Sequence, residues 1–299
     1  MSFMSIPTKA FILCLAVLGT LPAQAADAAL TLKVITANES SLHAAFTLVM
    51  GKQDMVLIDA PFTRADAHRL VADMLETGKR LTALYVTHDH PDHFWSMQVI
   101  MDAYPEAQVL SHPEVVADIW RSIPFKIARW SPMLGSNGPA HPTAPTPLAQ
   151  DWFELEGHRL EVLGPMQGDH HHATAIWIPE LQALVAGDLV FHGIHVWLGE
   201  VQEAQRLEWL ANLDALMAME PAIVVAGHKR PGLDDTAASL RFTRDYIADF
   251  NREAKTAINS DALIARMRQL YPNVIDVLDN FILSNSAQVG VGEVPPWEE

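Results

Sequence analysis

The chain has 299 residues, 49% of them hydrophobic and 19% charged; wholesale disorder is excluded, and the length suits one large domain or two small ones. Thirty-six acidic against 20 basic side chains leave a net charge of −16, which repels a phosphate backbone and excludes nucleic acid as an expected partner. The single cysteine, Cys14, excludes an intramolecular disulfide and a Cys-rich zinc module.

Lys9 is the only charged side chain before Asp27; the apolar run Ala10 to Leu21 follows, and then Ala23-Gln24-Ala25. This charged, apolar, small-residue order predicts a signal peptide over residues 1–25 and a periplasmic or secreted mature protein. The run of about 12 apolar residues is shorter than the roughly 20 needed to span a bilayer, so no membrane anchor is expected after cleavage.

Strands are expected at Leu30 to Thr36, Leu42 to Met50 and Asp54 to Asp59, with Gly51-Lys52 as a hairpin turn. Ala67, Leu70, Val71, Met74 and Leu75 have helical spacing, and Gly78 stops that helix. Leu81 to Thr87 reads as a strand; Phe94 to Tyr104 and Pro113 to Trp120 read as helices around a short strand, Ala107 to Leu110. Six prolines between Ile123 and Pro147 predict an irregular loop insertion over 121–150, anchored by Trp130 and Met133. Strands return at Trp152 to Leu155, His158 to Leu163, Thr174 to Ile178, Ala183 to Ala186 and Ala222 to Ala226. Helices are expected at Glu203 to Met219, Asp234 to Asn251 (capped by Asp234-Asp235) and Asp261 to Leu270. The chain closes with a C-terminal helical extension over 256–299, whose tail runs from Phe281 to Glu299. Two sheets with helices outside accommodate this order in a single α/β domain over 26–299.

Fourteen histidines are many for this length, and they cluster. The densest run, Thr87-His88-Asp89-His90-Pro91-Asp92-His93, directly follows an expected strand. In extended chain residues two apart point the same way, so His88 and His90 converge on one ion, while Asp92 and His93, past the Pro91 turn, face a second. Imidazole and carboxylate suit Zn²⁺, and Fe or Mn accept the same set. Two ions about 3.5–4 Å apart clamp and acidify a shared water.

This run resembles the HxHxDH motif of the metallo-β-lactamase superfamily, and the resemblance extends in order over roughly residues 30–255. It implies a four-layer αββα sandwich. It also implies that Asp59, after Val56-Leu57-Ile58, orients a ligand from beneath the metals. Asp188, in Ala186-Gly187-Asp188, stands at the position of the bridging ligand, and His228, in Ala226-Gly227-His228, at that of the last one. The departure is at the remaining histidine, where the family usually has Gly-His-Thr and this chain has Gln167-Gly168-Asp169-His170-His171-His172. Asp169 and His170 are equal candidates for that ligand.

Among the other residues, His195 is expected at a pocket rim as a hydrogen-bond donor to substrate. Trp197 and Trp130 are expected to line an apolar pocket. Lys229 is either a partner for a substrate carboxylate or a surface charge. His43, His68, His112, His141 and His158 lie outside ligand-type clusters.

The expected activity is hydrolysis of an ester, lactone, thioester or amide bond in a small molecule by a metal-bound hydroxide. Asp92 would orient the hydroxide and pass a proton to the leaving group, and Asp188 would hold both ions. Antibiotic β-lactam hydrolysis is the runner-up. The β-lactamase types with a Cys ligand are excluded, because Asp188 stands at the bridging position and Cys14 leaves with the signal peptide. Competing classes are a periplasmic zinc-binding protein and a di-iron oxidoreductase.

Overall fold

The computed structural model describes Met1 and residues 29–298. The expected signal peptide, Met1 apart, lies outside the described residues. None of their helices is long and apolar enough to cross a membrane.

The first sheet takes β1 (Thr31–Thr36), β2 (Ala45–Met50), β3 (Asp54–Ile58), β4 (Arg80–Val86), β5 (Gln108–Ser111) and β6 (Thr146–Pro147), in that spatial order. β1 to β3 are antiparallel neighbours; β3 to β6 are parallel, with α1 (Arg64–Leu75) crossing between β3 and β4 and α2 (Met97–Ala103) between β4 and β5. The second sheet is built from β7 (Trp152–Leu155), β8 (His158–Met166), β9 (Ala173–Ile178) and β10 (Ala183–Val185). After the two-residue β11 (Phe191–His192), β12 (Ile223–Val225) adds to the edge beside β10, giving the order β12-β10-β9-β8-β7. A short parallel pair, β11 with β13 (His228–Lys229), lies apart from both sheets.

Alternation along the strands sets the layers. On β3, Val56 and Ile58 face the second sheet, where they meet Phe153, Leu160, Ile176 and Val185. Met55 and Leu57 face the other way, into a core shared with Leu70, Met74 and Ile100 of the helices. Both faces are buried, so these strands read as continuous apolar runs rather than alternating ones. A third core packs the second sheet on α4 (Glu203–Ala218), α5 (Ala238–Ala254), α6 (Ser260–Leu270) and α7 (Phe281–Gly290) through Leu184, Val224, Trp209, Tyr246, Leu263 and Leu283. Three cores between four layers make the αββα sandwich expected from the sequence.

The largest departure is in the stretch expected as a loop over 121–150. Residues Pro113–Leu134 form one helix, α3, with Pro124 and Pro132 inside it. Proline removes a helical hydrogen bond, but Val115, Ile119, Ser122, Lys126 and Trp130 are buried at spacings of three and four residues, and that tertiary packing carries the helix through. The stripe contains a serine and a lysine, so hydrophobic periodicity does not reveal it. In the tail, α7 buries Leu283, Ser286 and Ala287, and Trp297 packs edge-on against Phe281.

Candidate metal centre

The site is assembled from strand ends. β3 and β4 are parallel neighbours, so the residues that follow them leave the sheet at the same edge. Asp59 adopts the left-handed conformation (φ 64°), which Asp tolerates better than most residues. Its carboxylate accepts from Thr87 N (2.8 Å), Thr87 Oγ1 (2.8 Å) and His93 Nδ1 (2.9 Å). From the second sheet, Asp188 follows β10 in a tight turn, and His228 begins β13 just beyond β12.

Four imidazoles converge with their outer nitrogens already engaged. His88 Nδ1 lies 2.9 Å from Thr87 Oγ1, whose proton goes to Asp59. His90 Nε2 lies 3.0 Å from Glu200 Oε1, His93 Nδ1 is on Asp59, and His228 Nδ1 is 2.8 Å from the Leu42 carbonyl. Each outer N–H donates to an acceptor that fixes the ring's orientation, so each ring presents its other nitrogen inward, where a metal can take the place of a proton.

The inward atoms fall into two groups, His88, His90, Asp169 and Asp188 in one and Asp92, His93 and His228 in the other, each within 4.8 Å. Asp188 touches both. Its Oδ2 lies 3.5 Å from His88 Nε2, its Oδ1 3.1 Å from His93 Nε2, and its Oδ2 3.1 Å from His228 Nε2. His93 Nε2 and His228 Nε2 are 3.4 Å apart, and His228 Nε2 is 3.1 Å from Asp92 Oδ2. Ligand atoms about 2.0–2.1 Å from one tetrahedral ion are separated by about 3.3–3.4 Å, so this spacing fits a shared cation. In the first group, His90 Nδ1 stands 3.2 Å from Asp169 Oδ2. Among the described residues, His88 Nε2, both carboxylate oxygens of Asp169 and Asp188 Oδ1 are buried without a hydrogen-bond partner. Groups of that kind are rare unless something else satisfies them. Three carboxylates and four neutral imidazoles amount to a formal −3, set against the +4 of two divalent cations.

Electrostatics agree. Burial, reinforced by Asp188 and Glu200, pushes the Asp169 carboxyl up to about 8 although His90 pulls the other way; a bound cation removes that penalty. Burial lowers His88 to about 4, so this ring is neutral and ready to ligate at physiological pH. Against its burial, Asp188 is held well below the carboxylate range by His228 and His93, whose own pKa values it raises in turn, that of His228 to about 10; without a cation these rings carry the positive charge that a metal would replace. Gly227 completes the arrangement: a Cβ there would lie 2.0 Å from Asp188 Oδ1 and 2.5 Å from the Gly187 carbonyl carbon. Only glycine lets the β12–β13 turn approach that carboxylate.

The centre forms the floor of a cavity partly open to solvent. Its walls include Phe62, Trp130, Phe191, Ile194, Trp197 and Phe281, with Trp297 also at its margin. Trp197 thus stands where expected, as does Trp130, although from α3 rather than a loop. His170 is not in either ligand group; its ring packs edge-on against that of His90 at 5.7 Å. His195 borders the cavity, but it is buried, with Nδ1 2.8 Å from the Tyr246 hydroxyl. It is therefore part of the wall and not a rim donor. Lys229 does not line the cavity, because its ammonium is held by Asp235. That pairing also corrects the expected Asp234-Asp235 cap, since α5 starts at Ala238 with Ala237 before it.

Two features had no signal in the sequence. Glu200 is a buried carboxylate shared between His90 and Trp197 Nε1, each at 3.0 Å. Asp89, inside the histidine run, lies 3.2 Å from the Lys126 ammonium and accepts from Ser122 Oγ at 3.0 Å, which fixes α3 to the metal loop.

Comparisons with known proteins agree with this geometry. Residues 44–228 match the family model of the metallo-beta-lactamase superfamily. A type 2 metallo-beta-lactamase of Pseudomonas aeruginosa is 24% identical over 217 residues, covering 72% of this chain and 78% of that protein. Among solved structures, a metallo-beta-lactamase family protein from Thermus thermophilus superposes with a TM-score of 0.62 at 22% identity, covering 88% of this chain and 92% of the other. The DIM-1 metallo-beta-lactamase exposed to ceftazidime gives 0.55 at 18% identity, with 75% and 98% covered. With the family model matched over more than half of its length and the His/Asp groups in place, the chain belongs to the metallo-beta-lactamase superfamily and is a metallo-hydrolase.

Proposed function

We propose that the protein is a di-zinc hydrolase of a small, uncharged and largely apolar ester, lactone or thioester. One observation carries the substrate class: no described residue lining the cavity above the two ligand groups is a lysine or arginine, and aromatic and aliphatic side chains dominate its walls. A β-lactam brings a carboxylate that needs a cationic partner, and Lys229, the nearest candidate in sequence, is paired with Asp235.

In this reading His88, His90, Asp169 and Asp188 would hold one ion, and Asp92, His93 and His228, with Asp188 beside them, would hold a second. When bound, the ions supply an acidified water and a Lewis acid for the carbonyl oxygen. The chain's own residues do the rest. Asp59, Thr87, Glu200 and the Leu42 carbonyl keep the four rings in one tautomer and orientation. Asp92 Oδ2, beside His228 Nε2, takes the proton of the attacking water and hands it to the leaving oxygen or sulfur. Phe62, Trp130, Phe191 and Trp197 bury the acyl chain and exclude bulk water. Export is part of the same proposal and rests on the order of residues 1–25.

The test is metal analysis of the purified protein together with a panel of p-nitrophenyl esters, lactones, thioesters and a chromogenic cephalosporin. About two zinc ions per chain and chelator-sensitive turnover of the neutral acyl substrates, rising with acyl length, are expected. Turnover of the cephalosporin above all the neutral substrates would establish the β-lactamase reading instead. Iron in excess of zinc, with colour, would move the chemistry to a redox class.

A further inference from the structure

A second histidine–carboxylate cluster lies outside the centre just described. The loop between β8 and β9 carries three consecutive histidines. His170 turns inward against His90, while His171 and His172 turn outward, their ring centroids 4.1 Å apart. Opposite them, on the first third of α3, the buried Asp118 presents one oxygen to both rings. Asp118 Oδ2 is 2.7 Å from His172 Nδ1 and 3.5 Å from His171 Nε2, and the three residues form a ligand-type group within 4.8 Å.

We infer that Asp118, His171 and His172 form a third, peripheral site for a divalent transition-metal cation of the Zn²⁺ or Cu²⁺ kind. A His–Asp hydrogen bond accounts for one imidazole at Asp118 Oδ2; it gives no reason for a second ring nitrogen to face the same oxygen. Two nitrogens and one carboxylate oxygen are the donor set of an open, three-ligand transition-metal site, and a poor one for Ca²⁺ or Mg²⁺, which take oxygen. The rings remain accessible, with 46% of the His171 side chain and 29% of that of His172 exposed, so an ion reaches them from solvent and water fills the open corner. Arg121 opposes binding: its guanidinium lies 2.9 Å from Asp118 Oδ1, the oxygen not shared with the histidines. That repulsion makes the site weaker than the main centre. An ion here ties α3, which bears Trp130 and Lys126, to the loop that bears Asp169.

The inference does not depend on the hydrolase reading, because the experiment reads a difference in metal count. Zinc-saturated protein is dialysed against a graded Zn²⁺ series, and bound metal is measured for wild type, the His171→Gln/His172→Gln double variant and Arg121→Ala. Wild type is expected to take up one weakly held equivalent more than the double variant, whatever the occupancy of the main centre. Equal uptake would overturn the site. Arg121 is 65% exposed, so its replacement leaves the fold intact even if the double variant does not fold. Arg121→Ala should bind the extra ion several-fold more tightly, and unchanged or weaker binding would overturn the proposal.

Discussion

Glu200 Oε1 sits 3.0 Å from His90 Nε2 and 3.0 Å from Trp197 Nε1, so one buried carboxylate sets the tautomer of a metal-facing imidazole and the position of a cavity wall. Glu200→Gln keeps the accepting oxygen but removes the negative charge that binds the His90 ring most strongly. Loss of such a partner lowers metal affinity by about 10–100-fold. Chelator competition should show one of two ions released at correspondingly lower chelator concentration, with the second retained. Identical competition curves for variant and parent would refute this role.

Asp169 and His170, equivalent in the sequence, are separated by the geometry. Asp169→Ala should lose one ion and at least about 100-fold in turnover, since it removes a ligand rather than a ligand's support. His170→Ala should keep both ions and most of the activity, because its ring packs on His90, His171 and His172 and belongs to neither ligand group. The reverse pattern would mean that the 167–172 loop is placed differently in the loaded protein.

Gly227→Ala puts a methyl group 2.0 Å from Asp188 Oδ1, between the carboxylate common to both ligand groups and the turn that carries His228. Overpacking of a tight site typically destabilises by about 1–3 kcal/mol. Denaturant unfolding should show a loss of that order, and metal content should fall with it. A variant with parental stability and two ions would show that the turn can move.

His195 gives a pH dependence of known sign. Burial lowers its pKa from 6.5 to about 4, so between those values the unfolded chain binds the proton and the folded chain does not. The contribution is complete above about pH 6.5 and is lost as the pH falls through about 4, a total of about 3 kcal/mol at about 1.4 kcal/mol per pKa unit. Unfolding free energies of chelator-treated parent and His195→Asn, measured at pH 7.5 and 5, should converge toward the lower pH. Parallel pH curves would contradict the assignment.

Much of the centre was legible because its residues end apolar strands. Asp59, His88, Asp188 and His228 each follow a run whose burial on both faces is evident from composition, and sheet topology then brings those ends to one edge. The 167–172 loop was not legible, since several ligand types stand side by side there and only the backbone path chooses among them. α3 was hidden because its buried stripe includes Ser122 and Lys126, whose partner Asp89 is more than thirty residues away, and because prolines outweigh that pattern locally. Glu200 stands in no motif at all; its role comes entirely from lying beside His90, 110 positions earlier in the chain.

Anomalous diffraction at the zinc absorption edge, on crystals of zinc-loaded protein, tests the central claim most directly. Two strong peaks should flank Asp188, one about 2.0–2.2 Å from His88 Nε2 and His90 Nδ1 and the other equally close to His93 Nε2 and His228 Nε2. A single peak, or none within ligand distance of Asp188, would contradict a two-metal centre built on these residues.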